Sequence, residues 1–136
     1  MINFTKDLEL GVPKIDAQHR ELIDKINKLS SMGAHSFSKE ETKKTIEFLG
    51  QYVVNHFRDE EMLQVKCNYP KYTAHRALHQ QFIQDFTKFS KNFDIVGPSP
   101  QFTLELNKVI ITWVVKHIKN VDIEFGKFYN STVGKK

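Results

Sequence analysis

Residues Tyr72–Phe89 read YTAHRALHQQFIQDFTKF. Tyr72, His75, His79, Phe82, Phe86 and Phe89 recur at spacings of three and four, which places them on one stripe of an α-helix. The stripe is aromatic except for its two histidines. Histidine is a mediocre helix former and costs free energy when buried without a partner. Two on one buried stripe therefore need a reason.

The same period recurs on both sides of this stretch. Breakers at Gly11 and Pro13, in SSMGAHSF (30–37), in CNYP (67–70) and in DIVGPSP (94–100) divide the chain into an N-terminal arm and four periodic segments. The first segment runs from about Asp16, as N-cap, to about Leu29, with Leu22, Ile26 and Leu29 on its apolar side. The second opens with SKEE, where Ser38 and Glu41 form a capping box, and its inner face reads Ile46, Leu49, Val53, His56, Glu60, Leu63. The third begins near Pro70, a favourable first-turn residue. The fourth starts with Ser99 as cap and Pro100 at the first helical position, followed inward by Phe102, Leu106, Val109 or Ile110, Trp113 and His117. A short further helix is expected from Asp122 to about Tyr129. Strand alternation competes nowhere, and no repeat or linker interrupts the chain. The expectation is one domain over 1–136, all-α, an up-down-up-down antiparallel four-helix bundle with an N-terminal arm and a short C-terminal helix.

Bulk properties narrow the function classes. A 136-residue chain with 40% hydrophobic and 26% charged residues suits one soluble core. The single cysteine, Cys67, excludes an intramolecular disulfide and suits a reducing compartment. The apolar run VIITWVV (109–115) is far too short for a membrane span, and MINFTKDLELG lacks signal-peptide order. A cytoplasmic protein is expected, with no membrane partner. The net charge is +4, but basic and acidic residues alternate and no basic block exceeds two residues. Nucleic-acid binding is therefore disfavoured.

The polar residues on the inner faces carry the chemistry. His56, Glu60, His75, His79 and His117 lie on inward stripes, with His19 on the inner side of the first segment. Five of the six histidines thus converge, and His35 in the first connection is the exception. Residues at i and i+4 stand about 40° apart around a helix and about 6 Å along it, so His75 and His79 can reach one metal ion. His56 and Glu60 repeat that spacing with a carboxylate. Five buried imidazoles and a carboxylate would be costly to desolvate without a cation, and bundles build metal sites from facing helices. His117 and Asp122 are five apart, about 140° on a regular helix. They share a site only if the helix ends or bulges between them, and Lys119–Asn120 is a suitable place.

With those residues set out, the sequence resembles the hemerythrins in their single-domain bacterial form. The matching stretches are GVPKIDAQHREL (11–22), HFRDEEM (56–62), YPKYTAHRALHQQF (69–82) and WVVKHIKNVDIEF (113–125). They span most of the chain, in order, as H…H-x-x-x-E…H-x-x-x-H…H-x-x-x-x-D. The resemblance implies two non-heme irons with an oxo or hydroxo bridge. His75, His79 and His117 would hold one iron, His19 and His56 the other, with Glu60 and Asp122 bridging. The first iron then has a full octahedron and the second an open position. By the same resemblance, dioxygen binds at that second iron as hydroperoxide, its proton supplied by the bridge. The positions matching the family's dioxygen pocket are Leu22, Phe57, Trp113, Val114 and Ile118, all apolar. Val114 is smaller than the aliphatic often found there, which implies easier access and faster autoxidation. Phe4 stands where many relatives carry tryptophan. Cys67 and Met62, close to the ligand-bearing segments, are expected as a boundary thiol and a core residue.

The leading expectation is a dioxygen-binding protein, not an enzyme, serving storage, delivery or scavenging. An imidazole-rich set leaves less negative charge to stabilise high-valent iron than the carboxylate-rich E-x-x-H sites of other bundles. The alternative is a diiron oxidoreductase reducing dioxygen or peroxide, which needs an electron-donor protein as partner. A stand-alone oxygen or iron sensor would need a separate output partner, and a structural zinc bundle would not need an open position. Oligomeric state is not legible in the sequence.

Overall fold

The structure is a computed structural model that describes residues 2–34 and 38–132. His35, expected in the first connection, lies outside the described residues. Helix α1 spans Pro13–Ala34, α2 Lys39–Lys66 and α3 Tyr72–Val96. A fourth rod covers 100–132 in pieces: α4 (Pro100–Glu105), α5 (Thr112–Lys116) and α6 (Ile123–Thr132), joined by π-helical turns π1 (Leu106–Ile111) and π2 (His117–Asp122). The backbone stays helical through every junction. The C-terminal helix expected near Asp122 is therefore α6, and it continues the fourth rod without a break.

Packing closes the rods into a ring. Helix α1 lies against α2 and α4, α2 against α3, and α3 against α4 and π1. The connections at 67–71 and 97–99 are short, which makes consecutive rods antiparallel neighbours. The expected up-down-up-down bundle with its arm is what forms. Among the described residues there is no strand, and no helix is long and apolar enough to cross a membrane.

Local chemistry explains where the rods start and stop. Ser38 Oγ accepts from the Glu41 N–H at 3.0 Å, the first half of the expected capping box, while the Glu41 carboxylate accepts from the Ser38 hydroxyl at 3.2 Å and not from its backbone N–H. Ser99 Oγ accepts from the Phe102 N–H with Pro100 behind it. Gly97 ends α3 at φ 73°, a left-handed backbone that glycine adopts freely, and its N–H returns to Phe93 O at 2.7 Å. Two starts differ from expectation. Helix α1 begins at Pro13, not Asp16; the Asp16 carboxylate instead accepts from the N–H groups of Leu10 and Gly11 at 2.8 and 3.0 Å, tying the arm to the first turn. Helix α3 begins at Tyr72, two residues after Pro70, with Pro70 in the preceding turn.

The arm is held at both ends. Ile2 exchanges two hydrogen bonds with the Asn27 side chain, and Asn130 Nδ2 donates to Leu10 O at 3.0 Å. Gly126 is obligatory beneath it, because a Cβ there would sit 2.8 Å from Leu10 O. Phe4 lies under the Arg20 guanidinium, 4.5 Å from its ring centre.

The inward stripes of α1 to α3 alternate threes and fours: Ile15, His19, Leu22, Ile26, Leu29; then Ile46, Leu49, Val53, His56, Glu60; then His75, His79, Phe82, Phe86, Phe89, Phe93. Leu63 is only half-buried, and Gln64 takes its place inside. Met62, expected in the core, is 63% exposed, because its position falls opposite the stripe. The fourth rod behaves differently. Its buried residues Phe102, Leu106, Ile110, Val114, Ile118, Asp122 and Gly126 come every four, with His117 and Phe125 buried beside them. On an unbroken α-helix that run would drift to about 120° off the core. Each π turn inserts one residue and returns about 100°. Phe102 and Gly126 are thereby kept within about 40° of one another.

Candidate metal centre

Seven polar side chains meet in the middle of this bundle. His19 comes from α1, His56 and Glu60 from α2, His75 and His79 from α3, and His117 and Asp122 from the two ends of π2. Each is 5% exposed or less. The π turn is what lets the last pair share a site. Ile123 N–H bonds Ile118 O, five residues back, so one residue is looped out and His117 and Asp122 face the same way. His117 Nε2 stands 2.9 Å from Asp122 Oδ1.

The donors form two groups. Glu60, His75, His79, His117 and Asp122 offer ligating atoms all within 4.8 Å of one another, and so do His19, His56 and Glu60. In the first group His117 Nε2 lies 3.0 Å from His75 Nε2 and 3.2 Å from His79 Nε2. Three ring nitrogens at van der Waals distance or closer present lone pairs to one point. Asp122 links the groups, since Oδ1 faces His75 Nε2 at 2.8 Å while Oδ2 faces His19 Nε2 at 3.2 Å.

Proximity here is not hydrogen bonding. The Nε2 atoms of His75 and His79 are 3.3 and 3.1 Å from Glu60 Oε1. Yet neither Glu60 oxygen, neither His19 nitrogen, nor Asp122 Oδ1 has a hydrogen-bond partner. Leaving ionised carboxylates buried and unsatisfied costs several kcal/mol. A cation between the two groups removes that cost. Imidazole nitrogens with carboxylate oxygens suit a first-row transition metal such as iron, and not a calcium or magnesium site. The residues therefore suit transition-metal binding, as the sequence implied.

The electrostatics agree with a cation-seeking interior. Burial and the Asp122 charge both push the Glu60 carboxyl upward, but the facing imidazoles of His75 and His79 outweigh them and hold it at about 2. Asp122 is likewise held well below the usual carboxylate range; its burial is overcome by His117, His19 and His75. Burial opposes a proton on His75, yet Asp122 and Glu60 raise it to about 9. Burial and the neighbouring His19 lower His56 to about 4, so it stays neutral at pH 7. Both carboxylates are thus ionised, and their charge draws positive charge onto the nitrogens around them.

The outer nitrogens of three rings are anchored. Asp59 can only accept, so Gln18 Nε2 donates to Asp59 Oδ2 at 2.8 Å. That fixes Gln18 Oε1 towards His56 Nδ1, also at 2.8 Å. His56 must then carry its proton on Nδ1 and turn a bare Nε2 inward. His79 Nδ1 donates to Glu61 Oε2 at 2.8 Å. His75 Nδ1 faces Gln64 Nε2 at 2.7 Å, while the fully buried Gln64 Oε1 has no partner. Turning that amide over places Oε1 on the Nδ1 proton and satisfies both groups. Gln18, Glu61 and Gln64 were not singled out in the sequence. The signal for Gln64 was present, four residues beyond Glu60 on the stripe of His56; Gln18 and Glu61 adjoin His19 and Glu60 and read as ordinary surface residues.

A small cavity lies beside the His19 and His56 group. Its volume is about 10 Å³, enough for about one water-sized molecule. The five expected pocket residues Leu22, Phe57, Trp113, Val114 and Ile118 all line it, joined by Val53 and Phe82 and, on its polar side, by His19, His56, His117 and Asp122. Two aromatic rings stiffen its walls. Phe57 stacks on His79 at 3.8 Å and 3°, and Trp113 on His117 at 4.3 Å and 11°. A dry wall of this kind excludes water and its protons from whatever the site holds.

Comparisons with known proteins point the same way. The family model described as the hemerythrin HHE cation binding domain matches residues 10–128. A bacteriohemerythrin of Clostridium acetobutylicum is 28% identical over 128 residues, covering 92% of this chain and 98% of that one. A bacteriohemerythrin of Methylococcus capsulatus is 30% identical over 111 residues, 82% of each. Among solved structures, the crystal structure of wild-type hemerythrin matches with a TM-score of 0.83 and 28% identity, covering 93% of this chain and 96% of that one.

Proposed function

The chain belongs to the hemerythrin family, and from that premise we propose that it binds dioxygen reversibly at a pair of non-heme irons. His75, His79 and His117 would hold one iron and His19 and His56 the other, with Glu60 and Asp122 shared. Such a pair supplies the two electrons that reversible dioxygen binding draws on. The chain supplies the rest. Three imidazoles on one side and two on the other leave the His19/His56 side one donor short, and the apolar cavity adjoins that side. Gln18 holds the His56 ring with its bare nitrogen inward. Leu22, Phe57, Val114 and Ile118 offer no hydrogen bond to water and no proton, and the Trp113 ring is stacked on His117.

The observation that carries this reading is the juxtaposition of unsatisfied buried donors with a one-molecule apolar cavity. A storage, delivery or scavenging role is compatible with it. A redox enzyme would use the same centre together with a donor protein. The test begins with iron loading. Reconstituted, anaerobically reduced protein should hold about two irons per chain and develop a visible charge-transfer band on admitting oxygen. Iron well below two per chain would contradict the diiron reading.

A further inference from the structure

A second apolar space shares a wall with the metal-site cavity. It is a groove of about 160 Å³ between α2 and α3, lined by Gly50, Val53, Val54, Ile83, Phe86 and Thr87. Val53 lines both spaces. Along α3 the same division falls one turn apart, with Phe82 on the cavity side and Phe86 on the groove side, ring centres 6.1 Å apart. The buried Val53 thus lies between the groove and the site, beside the Phe82–Phe86 pair.

The groove is built for an apolar guest. Its one hydroxyl, on Thr87, is committed to Ile83 O at 2.8 Å and offers no donor to a passing molecule. Gly50 sits mid-helix, where glycine is unfavourable, because a Cβ there would stand 2.8 Å from the Phe86 ring. Its absence lets that ring lie on the α2 backbone as the end wall. Val54 and Thr87 form the exposed mouth. On the fourth rod the half-buried Trp113 also lines the cavity, its indole stacked on His117 and packed 4.3 Å from Phe82.

We propose that dioxygen enters and leaves the metal site through the α2–α3 groove, with Val53 as the side chain it must pass. This rests on the dioxygen-binding reading above. Rotamer fluctuation and helix breathing on nanosecond and longer timescales open such a barrier without unfolding. A route differs from a binding site in one measurable way. Narrowing it slows entry and exit equally and leaves the equilibrium unchanged.

The test uses flash photolysis or rapid mixing on the iron-loaded chain. Val54→Trp and Thr87→Trp, made separately at the mouth, should each lower the association and dissociation rates several-fold by the same factor, with Kd unaltered. Val53→Ala should raise both rates. Wild-type rates in both mouth variants, with their iron content intact, would overturn the route. Xenon supplies a readout independent of iron chemistry. Under xenon gas the wild-type chain should hold xenon in the groove, and Val54→Trp should lose it; a groove without xenon overturns the proposal. Xenon seated there in a protein that takes up no dioxygen would support the route and count against the function alone.

Discussion

At the scale of single residues, function rests on which ring nitrogen faces inward. Gln18 ties Asp59 to His56 with two hydrogen bonds of 2.8 Å, so its loss frees the ring without emptying the ligand set. Outer-shell partners of metal-bound imidazoles are typically worth about 10–100-fold in metal affinity. Gln18→Leu should weaken metal retention by about that factor, read by competition with a chelator, while the helical circular-dichroism signal stays unchanged. Unaltered retention would show that the relay does not position His56. Val114 makes the second residue-scale prediction. It is buried and lines a cavity of only about 10 Å³, so an added methylene narrows the space beside the metal pair. Val114→Leu should slow autoxidation; an unchanged rate would count against valine as the cause of easy access. The ligand-type residues were legible because histidine and glutamate on an apolar stripe are anomalous. Gln18 and Glu61 were not, since an amide or acid beside a ligand reads as surface until the fold shows what it touches.

At the scale of elements, the fourth rod holds the least expected feature. The mismatch between His117 and Asp122 was visible as a five-residue spacing, and it required a bulge, which π2 provides. The first π turn was not anticipated, although buried residues every four from Phe102 to Val114 would have signalled it. A spacing of four is tolerated over one turn, and only its repetition demands an inserted residue. Inserting one alanine after Asn120 adds a residue beyond the one that π2 loops out and should rotate Asp122 by about 100° from His117. The variant should keep its helical signal and lose iron, measured as metal per chain. Full iron content would mean that the π register is dispensable. Capping allows a simpler test: Ser38 accepts the Glu41 N–H at the start of α2, and Ser38→Ala should cost about 1 kcal/mol in denaturant unfolding. The start of α1 was misplaced because Asp16 has the chemistry of an N-cap, but it spends that chemistry on the arm.

At the scale of the whole molecule, the bundle is a shell around charges that it does not neutralise by itself. Glu60 and Asp122 are fully interior, and both Glu60 oxygens and Asp122 Oδ1 lack hydrogen bonds, so metal binding and folding stability are coupled. Metal present at about 100 times its Kd adds about 2.7 kcal/mol to the folded state. Stripping the metal with a chelator should therefore lower Tm by roughly 10 °C. Architecture was legible throughout, because periodicity, caps and short connections all specify the same antiparallel ring. The groove between α2 and α3 was not, since Gly50 and Val54 acquire meaning only once Phe86 lies against them. The central claim, a reversible dioxygen site, is tested most directly by cycling. Iron-loaded, reduced protein is exposed to oxygen and then returned to argon, repeatedly, while the visible band and dissolved oxygen are recorded together. The account predicts a band that rises and falls with nearly constant amplitude and oxygen recovered on each release. Steady oxygen consumption in the presence of a reductant, with no recoverable band, would contradict it.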